Sequence, residues 1–397
     1  MASEGVEPAK PVRVRSALGC QLCAVSAYFG LIGFFWLAIA DPAVGAGEDF
    51  RLYSISHAPN QFNPDIGERV AVSFETREAA VVQLEIYDEL DRRVALIGDR
   101  ALLQPGTHAL AWDGRDLDGN RVPPEAYRYV LIAKSERSDQ VFRHDPAQAR
   151  DDFESDWLDA SWSRDTKTVD YRLEKPSRVR IRIGLRNDGP LLRTVVNWAP
   201  RDQGDQSESW DGMDESGVVN LSRHPNLAAS VVAFALPMNT VLVGPPAAKP
   251  VFLEQSAELS NRTNTPDGAE FQMFDYANQR PERRRDFPVE LILAGSAISG
   301  APTSQAEVVT GKQRIEISMS DRDLSMLMDE GFEAVFFIDG RREFEAEVAF
   351  FPIVWDLDTA NLTEGEHLLT VNLRGFEGHF GIASRAIQVE RTDAAKE

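Results

Sequence analysis

Cysteine is almost absent. Cys20 and Cys23 are the two cysteines in 397 residues, so neither a disulfide framework nor a four-thiolate zinc site is available. The six histidines are scattered, and the sequence accordingly predicts no metal centre, no cofactor and no redox chemistry. Positive charge is also scarce: 42 Lys and Arg face 63 Asp and Glu, for a formal net charge of −21. A surface this acidic repels phosphate backbones, which excludes nucleic acid as the expected partner. Nucleophile elbows are missing too. His108 and His367 each follow a glycine turn and enter a strand, with no activated Ser or Cys beside them. Carboxylates are abundant without being paired across a recognisable cleft. The expectation is a protein that is not an enzyme, with a hydrolase as the lesser alternative. What remains is 43% apolar and 26% charged, the balance of an ordinary globular chain. Its length leaves room for about two to four domains.

The N-terminus bears on location. From Ala17 to Ala40 no residue is charged, and Ala24 to Ala40 reads AVSAYFGLIGFFWLAIA. As a helix, 17–40 would reach about 36 Å, enough to cross a hydrocarbon core of about 30 Å. Lys10, Arg13 and Arg15 precede the run, while Asp41, Glu48 and Asp49 follow it. The positive-inside bias therefore places residues 1–16 in the cytoplasm and the body beyond the membrane. A cleaved secretory signal is the alternative, because Ala38-Ile39-Ala40 fits a small-x-small site, although the run exceeds the usual h-region. Cys20 and Cys23 form Cys-x-x-Cys at the start of this run, where no strand and helix pattern supports a redox role. Glu4, Glu7, Lys10, Arg13 and Arg15 give the first 40 residues one net positive charge, so the remainder is slightly more acidic than the whole.

Beyond the anchor the pattern is that of strands. Val70–Phe74, Val81–Tyr87, Arg93–Ile97 and His108–Trp112 are rich in β-branched and aromatic residues and separated by polar or Pro-Gly turns. A turn segment, Trp112-Asp-Gly-Arg-Asp-Leu-Asp-Gly-Asn120, leads into a closing strand expected over Val122–Ala133. Short strands at this spacing with no helical period predict a β-sandwich. A second unit follows in the same order: Val169–Leu173, Arg178–Ile183, Leu192–Val196 and Trp210-Asp-Gly-Met-Asp-Glu-Ser-Gly217. Phe74 to Tyr171 and Trp112 to Trp210 are offset by nearly the same number of residues, which argues duplication. The second copy is degenerate, lacking the Val-Pro and Tyr of the first, with Ser230–Ala235 as its expected last strand.

Several residues carry a family resemblance. Phe62-Asn63-Pro64, Ile86-Tyr87-Asp88, Gly106-x-His108 and above all Trp112-Asp113-Gly114-Arg115-Asp116, with Gly119, Val122-Pro123 and Tyr127, resemble the immunoglobulin-like domain of the flagellar hook-capping protein FlgD. The resemblance covers 51–135 and implies a seven-stranded sandwich of the fibronectin type III kind. The chain departs from that pattern at Pro124-Glu125-Ala126, where a glycine is usual before the tyrosine. Nothing resembling the rest of the hook-capping protein precedes the domain, so a flagellar role does not carry over. Farther on, the Phe-x-Ile-Asp-Gly turn ending at Gly340, Trp355-Asp-Leu-Asp-Thr359 and Gly365-Glu-His-Leu-Leu-Thr-Val371 resemble a bacterial immunoglobulin-like domain of extracellular proteins.

The expected organisation is all-β: tandem immunoglobulin-like sandwiches after one N-terminal transmembrane or signal helix. A cytoplasmic 1–16 and an anchor or signal at 17–40 precede a first sandwich at 51–135 and a linker at 136–165. A degenerate second sandwich occupies 166–243, a poorly readable connection 250–310, and a third sandwich 311–391, with a short helix expected at Asp321–Asp329. Asp113, Asp116 and Asp118 form a weak calcium candidate, since the later glutamate of a calcium loop is missing and the same side chains serve a hairpin turn. Arg280, Arg283, Arg284 and Arg285, together with Trp157 and Trp162, are the partner-binding candidates. The basic cluster alternatively answers local acidic residues, and the tryptophans alternatively belong to a core. The function expected is a non-catalytic extracytoplasmic binding or assembly scaffold, an accessory subunit of a bacterial envelope complex with a membrane or envelope protein as partner. A carbohydrate-binding or adhesion module of the cell surface is the alternative. The expected location is the bacterial cytoplasmic membrane, crossed once with the body in the periplasm or outside; the alternative is secretion after signal cleavage.

Overall fold

A computed structural model describes residues 49–98, 101–149, 155–246, 257–259, 286–293, 306–347, 351–376 and 378–391. Among them no helix is long and apolar enough to cross a membrane. The expected span at 17–40 and the pair Cys20 and Cys23 lie outside the described residues.

The first sandwich draws on β1 (Tyr53–Ala58), β2 (Gln61–Phe62), β3 (Val70–Thr76), β4 (Ala80–Tyr87), β5 (Arg93–Ile97), β6 (Leu102–Leu103), β7 (Gly106–Trp112), β8 (Ala126–Ser135) and β9 (Val141–His144). Alternation makes it a sandwich: in β3, Val70, Val72, Phe74 and Thr76 are buried and the residues between them are not. One sheet runs β1-β3-β7, and β4, β5 and β8 belong to the facing sheet. The closing strand begins at Ala126 instead of the expected Val122, because Pro123 and Pro124 have no N–H to give a ladder.

The second sandwich repeats this plan with β10 (Ser155–Trp157), β11 (Ala160–Ser163), β12 (Thr168–Leu173), β13 (Ser177–Leu185), β14 (Leu191–Arg201), β15 (Gly204–Ser209) and β16 (Leu227–Ala235). Its sheets run β10-β16-β13-β14 and β15-β12-β11, and β18 (Ala257–Leu259) adds to the edge of β11. The repeat extends to individual bonds. Trp112 Nε1 donates to the Arg115 carbonyl at 2.9 Å, and Trp210 Nε1 donates to the Met213 carbonyl at 2.9 Å. The Asp116 carboxylate accepts from Asp118 N and Asn120 N, as the Asp214 carboxylate accepts from Val218 N and Val219 N. Gly114 and Gly212 hold φ of 77° and 86°, a left-handed backbone open to glycine and costly for other residues.

The two copies differ in burial. Asp214 is fully buried, whereas Asp116 is partly exposed. Asp214→Ala is therefore expected to lower unfolding free energy by about 2 kcal/mol or more, since two backbone donors lose a buried acceptor, and Asp116→Ala by less than about 1 kcal/mol. Urea midpoints of the two variants check the order.

The chain then turns back. β17 (Thr240–Val243) follows the second sandwich but pairs antiparallel with β8 and parallel with β2, completing the sheet β2-β17-β8-β4-β5 of the first. Val241 and Val243 are 1% and 5% exposed in the first core. The expected last strand, Ser230–Ala235, lies within β16 and stays in the second sandwich, whereas 240–243, expected in the same unit, belongs to the first. The place beside β16 goes to β10, which precedes it in sequence. The stretch expected as a linker, 136–165, supplies β9 to one sandwich and β10 and β11 to the other. The first sandwich is thus closed by chain from the far side of the second.

The third sandwich comprises β19 (Glu290–Leu293), β20 (Glu307–Val309), β21 (Lys312–Ser318), β22 (Phe332–Ile338), β23 (Arg341–Ala346), β24 (Val354–Asp358), β25 (Gly365–Gly375) and β26 (Phe380–Val389). Its sheets run β19-β21-β24 and β20-β26-β25-β22-β23, so it starts before the expected 311, within the stretch expected as a connection. The expected helix is present as α1 (Asp321–Glu330). Ser320 caps it by accepting from Asp323 N, acidic residues sit in its first turn, and Leu327 is buried in the third core.

Candidate functional site

β13 reads Ser-Arg-Val-Arg-Ile-Arg-Ile over 177–183. A period of two sends Val179, Ile181 and Ile183 into the second core and Arg178, Arg180 and Arg182 to the opposite face. Such a face ordinarily meets water, yet these arginines are 4%, 8% and 4% exposed. Arg178 meets Glu125 at 2.9 Å and Glu89 at 3.6 Å, both from the first sandwich. It also donates to the Trp198 carbonyl at 3.0 Å. The Arg180 guanidinium lies 4.7 Å above the Trp198 ring. Arg182 donates to Asp286 at 2.7 Å and sits 4.4 Å over the ring of Phe380 in β26. One strand face thus carries a row of cations whose ends engage the first and third sandwiches.

Further contacts fix the second sandwich on the third. Asn372 of β25 caps the start of β14, accepting from Leu191 N at 2.8 Å and donating to Leu191 O at 2.7 Å. Ser384 N donates to Ser216 Oγ at 2.8 Å. At Gly340, on the turn between β22 and β23, an added Cβ would lie 2.9 Å from Leu185. His367 braces that turn: its Nδ1 lies 2.6 Å from Asp339 and its Nε2 2.8 Å from the Thr363 carbonyl. Both neighbours accept, so the doubly protonated ring satisfies both. Burial works against the charge, but Asp339 and the Thr363 carbonyl outweigh it and raise the pKa. A folded-state pKa above the unfolded value of about 6.5 contributes stability that is fully present below that value. That contribution is lost as pH rises through the folded value. Thermal melts should show this loss on the alkaline side, and His367→Gln should flatten it.

Between the first and second sandwiches opens a groove of about 880 Å³, within the range of ligand sites. Gln61, Glu89 and Glu125 line one wall, residues 197–201 of β14, Asp202 and 206–209 along β15 the other, with Val243–Pro246 and Asp286 completing it. Arg201 forks onto Glu208 at 2.6 and 3.0 Å. The Tyr171 hydroxyl donates to Glu208 at 3.0 Å; burial, reinforced by Glu208, pushes the phenol well above its usual range. The β13–β14 ladder is irregular around Trp198, which holds a φ of 50°, unusual for so bulky a residue. Trp198 is 4% exposed, and its indole N–H has no partner. Asn197 Oδ1 and Asp286 Oδ2 are also without partners. All three atoms are closed off from solvent. Ser207, the hydroxyl nearest a carboxylate in the lining, donates to Asp170 at 2.5 Å.

The expected site residues fall elsewhere. Asp113 and Asp116 accept backbone N–H groups of their own turn, and Asp118 contributes one of those donors. Among the described residues no three His, Cys, Asp or Glu gather to hold a metal ion. Trp162 is 2% exposed and packs on Trp210, with ring centroids 4.6 Å apart, so it is a core residue and is not open to a partner. Trp157 lies in β10. Arg280, Arg283, Arg284 and Arg285 lie outside the described residues. The groove itself went unread in the sequence. The Arg-Val-Arg-Ile-Arg alternation is visible there, but alternation identifies an outward face without identifying what covers it.

The family model for the FlgD Ig-like domain matches residues 60–136, within the first sandwich. No curated protein matches the sequence. Among solved structures, the fibronectin(III)-like modules of Clostridium thermocellum CbhA are 12% identical, with 87% of this chain and 98% of that one covered at a TM-score of 0.19. A structure from a 1.5-MDa bacterial ice-binding adhesin is 11% identical, with 87% and 99% covered at a TM-score of 0.18. A tetra-tandem repeat from the extending region of a large adhesion protein is 13% identical, with 86% and 74% covered at a TM-score of 0.18.

Proposed function

We propose that the chain is a non-catalytic binding and assembly scaffold working on the outer side of a bacterial cytoplasmic membrane, held there by its N-terminal apolar segment. The observation that carries this reading is the locking of three sandwiches into one body. The first sandwich takes its closing strand from beyond the second, and the buried arginine row of β13 engages both neighbours. A chain of independent modules on flexible linkers would present its surfaces at varying distances, whereas this arrangement presents groove, turns and edges in fixed relation. The FlgD Ig-like domain and the cysteine-free body agree with a structural role that rests on packing. Trp112, Trp162, Trp198 and Trp210 are all at most 4% exposed, so these rings offer no platform for stacking sugars.

The test has two arms on the full chain in a bacterial host. External protease applied to spheroplasts should digest the body while residues 1–16 stay protected. Crosslinking in intact cells followed by mass spectrometry should recover a stable envelope partner. A body shielded inside the cell would overturn the location, and an uncrosslinked chain at native levels would overturn the scaffold.

A further inference from the structure

We propose that the second sandwich is shielded from tension: a pull between Asp49 and the third sandwich loads the first, and it stretches the second only after β17 has left β8. This goes beyond the scaffold reading and does not need it, because it follows from the routing of the chain.

Register is the first argument. One edge of β8 is taken by β4, and the other is shared by β9 and β17. β9 runs from Val141, opposite Lys134, to His144, opposite Leu131. β17 takes up the same edge at Thr240, opposite Arg128, and follows it to Leu242, opposite Ala126. Both are antiparallel to β8, so they lie end to end as a single strand would. The chain between them carries β10 to β16. The second sandwich is thus spliced into the last strand of the first.

The roots of the insertion are the second argument. Asn239 Nδ2 lies 3.4 Å from Asp145 Oδ1, so entry and exit meet. Arg128 of β8 grips the Asp145 carboxylate at 2.6 and 2.7 Å. Tyr129, the next residue of β8, donates its N–H to the Asn239 carbonyl and accepts from the Asn239 side chain. The Asp145 side chain is 3% exposed and Asn239 is fully buried, so water competes little for these bonds. Two ends fixed side by side on one strand cannot be drawn apart while that strand stays in its sheet.

The path of a pull is the third argument. Force enters the first sandwich at β1 and leaves it at β17, which is bonded on both sides, antiparallel to β8 and parallel to β2. What else holds the second sandwich touches it from the side. β18 is a three-residue strand on the edge of β11. The ion pairs of Arg178 with Glu125 and of Arg182 with Asp286 both grip one strand, β13. Such contacts part before a paired central strand stretches, and the fold they leave behind is intact.

The test pulls the full chain in detergent with optical tweezers. Cys20→Ser and Cys23→Ser remove both native thiols. Handles are placed at Asp49→Cys and Glu390→Cys, both exposed positions. Forced opening is governed by the unfolding barrier, so a destabilised sandwich ruptures at lower force. Asp214→Ala marks ruptures of the second sandwich and Val241→Ala those of the first, by lowering their force; melting curves report whether each variant folds. The expected result is that the rupture weakened by Asp214→Ala follows or coincides with the one weakened by Val241→Ala, and that it releases about 90 residues, roughly 300 Å of chain. With handles moved to the exposed Asp159→Cys and Met238→Cys, the second sandwich is pulled directly, and Asp214→Ala should then lower the force of the first rupture. A rupture weakened by Asp214→Ala that precedes the one weakened by Val241→Ala overturns the proposal. Equal response of the first rupture to Asp214→Ala in the two handle geometries overturns it as well. Neither outcome bears on the scaffold reading, which the crosslinking in cells decides.

Discussion

Val241→Asp is expected to strip hydrogen-exchange protection from Tyr127 and Arg128 in β8, far upstream in the chain. Val241 pairs with Tyr127, and its side chain is 1% exposed among the apolar residues of the first core. A carboxylate there has no cation partner and would cost at least about 4 kcal/mol. Domain stabilities are about 5–15 kcal/mol, so the first sandwich should open or nearly open. Asn239 widens the effect: its backbone carbonyl accepts from Tyr129 N at 2.9 Å and its side chain donates to Tyr129 O at 2.6 Å. Met238→Asp is the control, because Met238 is 80% exposed and should change protection little. Were β16 to lose protection while β8 kept it, the closing of the first sandwich by β17 would be refuted.

Asp286→Ala is expected to cost about 3–5 kcal/mol, the range for leaving a buried charge without its partner. Arg182 is 4% exposed at its side chain, and its 2.7 Å contact with Asp286 is lost in the variant. The aromatic face of Phe380 would remain and offset little of the lost charge pairing. Arg182→Met combined with Asp286→Ala removes both charges and keeps apolar volume over Phe380, so the double variant should recover more than half of the loss. Guanidinium titration of Asp286→Ala, Arg182→Met, the double variant and the parent completes a mutant cycle. A cost below about 1 kcal/mol for Asp286→Ala would show that the second and third sandwiches do not depend on this pair.

Much of the architecture was legible in the sequence because strands announce themselves locally. Val70 to Thr76 alternates, and its burial alternates with it. The Trp112 and Trp210 turns share residue types, and they share hydrogen bonds. The stretch Asp321–Asp329 reads as a short helix, and a helix is there. What escaped is long-range. Thr240–Val243 is an apolar stretch just after β16, and nothing within it states that its partner is β8 instead of its own neighbour. Trp162 shows the same limit, since the sequence leaves partner contact and core both open for it until Trp210 is seen against it. The groove needed both kinds of information, because its walls come from segments widely separated in sequence.

The closing strand of the first sandwich also sets an order of assembly. A chain that emerges from its N-terminus, from a ribosome or through a secretion pore, delivers β1 to β9 well before β17. Until Val243 has emerged, the strand between β2 and β8 is missing and the apolar edge it covers stays open, even though every other piece of that sandwich is already out. The earliest-made domain therefore waits for chain beyond β16 of the second, and a polypeptide cut short within the second repeat would betray itself to chaperones and proteases through the first.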